Sequence, residues 1–343
     1  MAQEVHRYGD TEIPLSHELI NPLTSWMRAT ILDAQGLHID EIPSPMCAED
    51  HVRVRLAAAA LNHRDQYIRE GKYSKIVLPA VLGSDGMGVV TEAPSQPDLV
   101  GTRVVIYPEL SAGNIIGMPT QGTLAQEIVV PAANVFEAPE HLSDEQAAAL
   151  PLAGLTAFRA LMRQGALQAT DTVLITGIGG GVATMVLLFA VAAGARVCVS
   201  STSDEKLNRA VALGASYGIN IRESDWTKRL KEQGSIDLVI DSIGGDTFND
   251  LTDVLVPGGR VVIYGAARGA APMMNLHRVF WKQLHILGST MGSAQEFADM
   301  LQLVRHHSIV PVVDRVYAMS DAVDAFDRLH AAQQFGKIVV SCS

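Results

Sequence analysis

Three cysteines in 343 residues, Cys47, Cys198 and Cys342, are too few and too scattered for a disulfide scaffold, a CxxC pair or a four-sulfur zinc lobe. Positive charge is also short: 26 Lys and Arg against 37 Asp and Glu leave a net charge of −11. That balance disfavours an electrostatic hold on nucleic acid or on an anionic membrane. Long hydrophobic runs are missing as well. The longest, Val182 to Ala195, is too short to span a bilayer and ends at Arg196. The first residues, MAQEVHRYGDTEIP, carry charges where a secretion signal needs a continuous apolar stretch. Together these absences predict a reduced, cytoplasmic protein with no membrane and no nucleic-acid partner.

What is abundant is Ala, Gly and Val in a chain that is 48% hydrophobic and only 5% aromatic, which suits a soluble α/β globule. At roughly 100 to 200 residues per domain, the length suggests two domains. Residues 1–25, with Pro14 and Pro22 and little periodicity, read as an extension with no assigned role. Residues 26–147 hold short β-type runs, Val52 to Leu56, Val81 to Val90, Arg103 to Ile106 and Ala125 to Val130, separated by turn residues. From Asp171 the rhythm changes to strand, glycine turn, helix, strand. TVLIT (172–176) is a buried strand, and apolar residues at 182, 185, 186, 189, 190 and 193 have helical spacing. Further strands are expected at 195–200, 236–241, 259–265 and 285–289, an alternation that builds a doubly wound parallel sheet over 148–309. The tail, 310–343, with a helix expected near 320–333 and a last strand GKIVVS, is expected to return and complete the first domain. A cleft between two lobes follows.

The turn GIGGGVA places Gly177, Gly179, Gly180, Gly181 and Val182 between a strand and a helix. Glycine lets backbone approach a pyrophosphate, and a helix N-terminus offers free N–H groups, so these five are candidate cofactor contacts. A tight βα turn that uses glycine for packing is the plainer alternative. An NAD site usually places a carboxylate at the end of the second strand. Here stand Ser200, Ser201 and Thr202, with Lys206 four residues on. Hydroxyls and a cation suit a 2′-phosphate, so NADPH is the expected cofactor. Asp241, Gly265 and Ala266 end the next strands on the side where ligands of doubly wound folds collect.

LNHRDQYIREGKY (61–73), VLGSDGMGVV (81–90), GTLAQEIVVP (122–131), AAALPLAGLTAFRAL (147–161), VLITGIGGGVA (173–183) and VPGGRVVIYG (256–265) occur in order. As a set they resemble the medium-chain dehydrogenase/reductase superfamily, most closely its zinc-free quinone oxidoreductase branch. The resemblance implies a GroES-like, mostly-β catalytic domain joined to a Rossmann domain. Zinc-dependent relatives carry a Cys and a His as metal ligands where this sequence has Asn62 and Ser84, with Asp85 in place of Glu. An amide and a hydroxyl are poor zinc ligands, so no metal site is expected. The resemblance further implies Asn62, Tyr67 and Tyr73 as hydrogen-bond donors to the acceptor, Asp65 and Arg69 as structural partners, and Thr156 beside the nicotinamide. A tyrosine of that branch is Ile221 here, while Arg222 remains to offer charge near the adenosine phosphate.

The expectation is therefore a zinc-independent, NADPH-dependent oxidoreductase passing hydride to a quinone or an α,β-unsaturated carbonyl. The alternatives are a metal-free alcohol dehydrogenase or ketone reductase, and a non-enzymatic NADPH-binding sensor. The partner is a small-molecule acceptor, and relatives suggest a homodimer through the edge strand near 284–292.

Overall fold

The computed structural model describes residues 25–111 and 113–342, so almost all of the extension read over 1–25 lies outside the described residues. The chain forms a β-rich lobe and a parallel-sheet lobe. In the first, Trp26–Asp33 and Gly36–Pro43 make a hairpin whose register runs from Trp26↔Pro43 to Asp33↔Gly36. The main sheet runs in the order Val135–Glu137, Arg103–Ile106, Asp85–Glu92, His51–Ala60, Lys337–Ser341, Val313–Ala318. Its central strand shows why it forms. In HVRVRL the valines and leucine alternate inward with Arg53 and Arg55 between them, and Arg53 pairs across the ladder with Glu92 and Glu127. The strand Lys337–Ser341 lies antiparallel to it through Val339↔Ala60, Val340↔Ala59 and Ser341↔Ala58.

The second lobe is a six-stranded parallel sheet, ordered Tyr217–Asn220, Arg196–Ser201, Thr172–Ile175, Ile236–Asp241, Leu255–Ile263, His285–Gly288. Thr172–Ile175 and Ile236–Asp241 are neighbours there although two strands intervene in sequence. That reversal of strand order opens a crevice at their carboxyl ends. Gly177 and Gly179 take φ of +62° and +120°, a left-handed region closed to most side chains, and turn the chain from the first strand into the helix Gly181–Ala192. That helix is capped by Gly180 with no side-chain acceptor, which leaves its first N–H groups free.

The core is continuous between lobes: Ala60, Met87 and Val105 of the β-rich lobe pack in one cluster with Val173, Ile175 and Leu187 of the other. Burying roughly 1.5 to 3 kcal/mol of transfer energy per large side chain, this cluster fixes the lobes against one another. Two expected elements differ in ways that shape the cleft. The strand read over Val81 to Val90 is split, because Gly83 takes φ of +94°, and only Ala80–Val81 and Asp85–Glu92 are strands. The break sets Ser84 and Asp85 at the inner wall of the lobe. The helix expected near 320–333 ends at His330, where Ala332 at φ +52° reverses the chain. No described helix is long and apolar enough to cross a membrane.

Candidate active site

Between the lobes lies a cleft of about 480 Å³. Its floor begins with Asn62, which precedes the short helix His63–Arg69. The Asn62 N–H donates to Asp65 Oδ2 at 2.8 Å, and Asp65 Oδ1 accepts the Gly83 N–H at 3.3 Å. Asp65 is fully buried, and burial pushes its carboxyl above the usual range against the pull of Arg64. By tying residue 62 to residue 83, it holds Asn62 beside Asp85. The Asn62 amide then donates to Asp85 Oδ2 at 2.9 Å, and the backbone N–H of Leu152 donates to Asp85 Oδ1 at 2.7 Å. Lys337 Nζ completes the network, donating to Asn62 Oδ1 at 2.6 Å and to Asp85 Oδ2 at 2.7 Å. Asp85 and Lys337 are 0% and 4% exposed, so the charges meet in a water-poor setting where each partner depends on the other.

Sequence reasoning missed Lys337. Its only signal was a lysine opening an otherwise apolar strand, KIVV, a place where a cation needs a buried partner. The stem of Lys337 lies on the glycine turn, where a Cβ on Gly181 would stand 2.5 Å from its Cδ. Glycine at 181 is therefore what admits the lysine between the lobes.

The resemblance places metal ligands at Asn62 and Ser84. In the structure Asn62 Nδ2 donates to Asp85 and its Oδ1 accepts from Lys337, and Ser84 Oγ accepts from Arg64 Nη1 at 2.7 Å and donates to the Ile116 carbonyl at 2.9 Å. Arg64 also donates to the Ile116 carbonyl at 2.8 Å. A dication would meet a guanidinium and an ammonium here, and no group of three or more His, Cys, Asp or Glu able to hold a metal exists among the described residues. The residues do not fit zinc.

Tyr67 is 38% exposed, and Tyr73 is half-buried with the Arg64 guanidinium 5.2 Å from its ring centroid. Both line the cleft with Asn62 and Arg64. His63 opens to solvent through the cleft mouth. The surrounding walls, then the ammoniums of Lys337 and Lys206, hold its pKa below the usual histidine range.

Gly177, Gly180, Gly181 and Val182 also line the cleft. Gly179 lies just behind them, covered by the stem of Lys206, whose Cδ would be 2.7 Å from an added Cβ. Lys206 Nζ donates to the Ala332 carbonyl at 2.8 Å, joining the sheet lobe to the returning tail. Ser200 and Ser201 are buried at the end of their strand, and Ser201 Oγ accepts the Ser203 N–H at 3.1 Å. Arg222 is exposed, in the turn after Tyr217–Asn220. Asp204 accepts from the Asn220 amide at 2.8 Å.

Thr156, Gly265 and Ala266 all border the cleft. Thr156 is the sixth residue of the helix Pro151–Phe158, so its hydroxyl is not a helix-start cap. Asp241 requires a correction. Its carboxylate is fully buried and accepts from Thr176 Oγ at 2.6 Å and from the N–H groups of Ile243 and Gly244 at 3.1 and 3.0 Å. It shapes the loop that carries Ser242 to the cleft and does not line the cleft itself.

The glycine turn, an uncapped helix N-terminus and a deep adjoining cleft fit a dinucleotide. Two family models match the chain: an alcohol dehydrogenase GroES-like domain over residues 48–140, and a zinc-binding dehydrogenase over residues 181–306. A zinc-type alcohol dehydrogenase-like protein, YogA, of Leptosphaeria maculans is 36% identical, covering 89% of this chain and 94% of its own length. An acryloyl-coenzyme A reductase of Sulfurisphaera tokodaii is 26% identical, over 89% of this chain and 96% of that protein. The solved structure of an NAD-dependent alcohol dehydrogenase superposes with a TM-score of 0.86 at 36% identity, covering 92% of this chain and 100% of that one. With both domains matched and their cleft intact, the chain belongs to the medium-chain dehydrogenase/reductase superfamily of oxidoreductases.

Proposed function

We propose that this protein is a zinc-independent, NADPH-dependent reductase of quinones or α,β-unsaturated carbonyl compounds. The observation that carries the reading is the cleft wall built by Asn62, Asp85 and Lys337, with Arg64 on Ser84: fixed cations and donors stand where zinc-dependent relatives hold a metal. Bound NADPH supplies a hydride to the acceptor. The glycine turn and the N-terminus of Gly181–Ala192 bind its pyrophosphate, while Thr156, Gly265 and Ala266 border the nicotinamide. Ser200, Ser201, Lys206 and Arg222 favour the 2′-phosphate over a free ribose hydroxyl. Reduction of a simple ketone leaves charge localised on one oxygen, a burden commonly carried by a Lewis acid. Hydride addition to a conjugated acceptor leaves it delocalised, and hydrogen-bond donors suffice. Asn62, Arg64, Tyr67 and Tyr73 are the donors at that end, and the balancing proton comes from solvent or a tyrosine hydroxyl.

Steady-state turnover of NADPH and NADH with a naphthoquinone, an aliphatic enone and a saturated ketone tests the proposal. Turnover with the quinone or the enone, faster with NADPH, is expected. Turnover confined to the ketone identifies a metal-free ketone reductase instead, and binding of NADPH without turnover on any acceptor identifies a sensor.

A further inference from the structure

We propose that Gln334 is a cofactor-binding residue whose side-chain amide takes the ribose–phosphate portion of the dinucleotide bound at the glycine turn. This rests on the dinucleotide reading of that turn. Gln334 is 4% exposed and lines the cleft, yet its Oε1 has no hydrogen-bond partner and its amide nitrogen has none among the described residues. Buried side-chain amides are ordinarily satisfied, because desolvating an unpaired donor or acceptor is costly. With its oxygen shut away and its nitrogen unpartnered but not shut away, this amide in the cleft wall points to a ligand that its N–H groups meet.

Its position says which part of the ligand. Gln334 belongs to the strip between Ala332 and Lys337, which crosses the glycine turn. The Gly336 N–H donates to the Gly179 carbonyl at 2.9 Å, Lys206 Nζ holds the Ala332 carbonyl at 2.8 Å, and the stem of Lys337 presses on Gly181. The strip is thus fastened to the backbone that receives phosphate. Phosphate oxygens only accept hydrogen bonds, and ribose hydroxyls also donate. A ribosyl phosphate therefore offers acceptors for the amide nitrogen of Gln334. The acceptor molecule, expected at the Asn62 and Tyr73 wall, does not explain an open amide on this strip.

Gln334→Leu keeps the approximate size and removes both polar ends. Dissociation constants for NADPH and for 2′-phospho-ADP-ribose, which lacks the nicotinamide, are measured by titration calorimetry, alongside thermal unfolding of the ligand-free protein. Affinity for both ligands is expected to fall roughly 10- to 100-fold, the range of a hydrogen bond to a charged group. The ligand-free variant is expected to unfold at or above the wild-type temperature, since an unsatisfied group has been removed. Gln334→Glu, which adds a negative charge beside phosphate, weakens both ligands further. Unchanged affinity overturns the inference, as does a loss confined to NADPH, which would put Gln334 at the nicotinamide end. A ligand-free variant that unfolds several degrees lower overturns it too, by showing a structural role. Wild-type protein that binds neither NADPH nor NADH overturns the dinucleotide reading itself and takes the inference with it.

Discussion

Replacing Lys337 by methionine probes the junction between the lobes, because the apolar stem that lies on Gly181 is kept and only the ammonium is lost. Asp85 then keeps the Asn62 amide and the Leu152 N–H but loses its 2.7 Å partner, and Asn62 Oδ1 loses its donor at 2.6 Å. Breaking a buried ion pair by removing one member costs about 3 to 5 kcal/mol, because the other charge stays buried and uncompensated. The two hydrogen bonds that remain on Asp85 put the expected loss at the lower end, about 3 kcal/mol. At about 1.4 °C per kcal/mol, from an unfolding entropy of about 2.1 cal/mol/K per residue over 343 residues, the melting temperature falls by roughly 4 °C. Urea denaturation of K337M, D85N and the double variant completes the measurement. The double variant buries no unpaired charge, so its loss falls short of the sum of the single losses by about 2 kcal/mol. A K337M loss below about 1 kcal/mol, additive with D85N, would refute the coupled network.

Lys206→Ala is expected to lower the preference for NADPH over NADH about 10-fold, the worth of one charge-assisted contact to phosphate, as read from the two dissociation constants; an unchanged ratio removes Lys206 from cofactor selection. His63 is held below its usual pKa of about 6.5 by the desolvating cleft walls and two ammoniums, so the folded state binds fewer protons than the unfolded chain and stability falls as pH drops through that value. His63→Gln should therefore lose less melting temperature than wild type between about pH 7.5 and pH 5.5, and equal losses would show that His63 is not the group responsible. The strand His285–Gly288 is one of the two edges of the parallel sheet, and Phe280 and Trp281, 57% and 78% exposed, lie just before it. Such an edge is expected to pair with a second copy. Light scattering at micromolar concentration should give the mass of a dimer, whereas a monomer, or a dimer unaffected by Trp281→Lys, speaks against this edge.

The parallel sheet was legible because its signals are local. In Thr172–Ile175 and the turn that follows, a β-branched run, glycines and helical spacing fall within about twenty residues, and each is set by short-range sterics. That an amide, Asn62, and a hydroxyl, Ser84, stand at the two ligand positions of the resemblance is plain from the sequence itself. What joins the lobes was not legible. Lys337 reaches Asn62 and Asp85 across 275 and 252 residues of sequence, a distance over which no periodicity carries information. The left-handed Gly83 broke a run that alternation alone reads as one strand. Gln334, in the polar stretch AAQQF, has the composition of a surface loop, and only the reversal at Ala332 turns it inward. Asp241 stands at the expected strand end, but its buried carboxylate accepts from three donors of its own loop and the neighbouring strand end.

The central claim is that hydride transfer here is supported by fixed side-chain donors in place of zinc. Metal content by mass spectrometry, together with NADPH-dependent quinone or enone turnover before and after exhaustive chelation, tests it most directly. The account predicts substoichiometric zinc and unchanged turnover. Stoichiometric zinc, with activity lost on chelation and restored by adding the metal back, would contradict it.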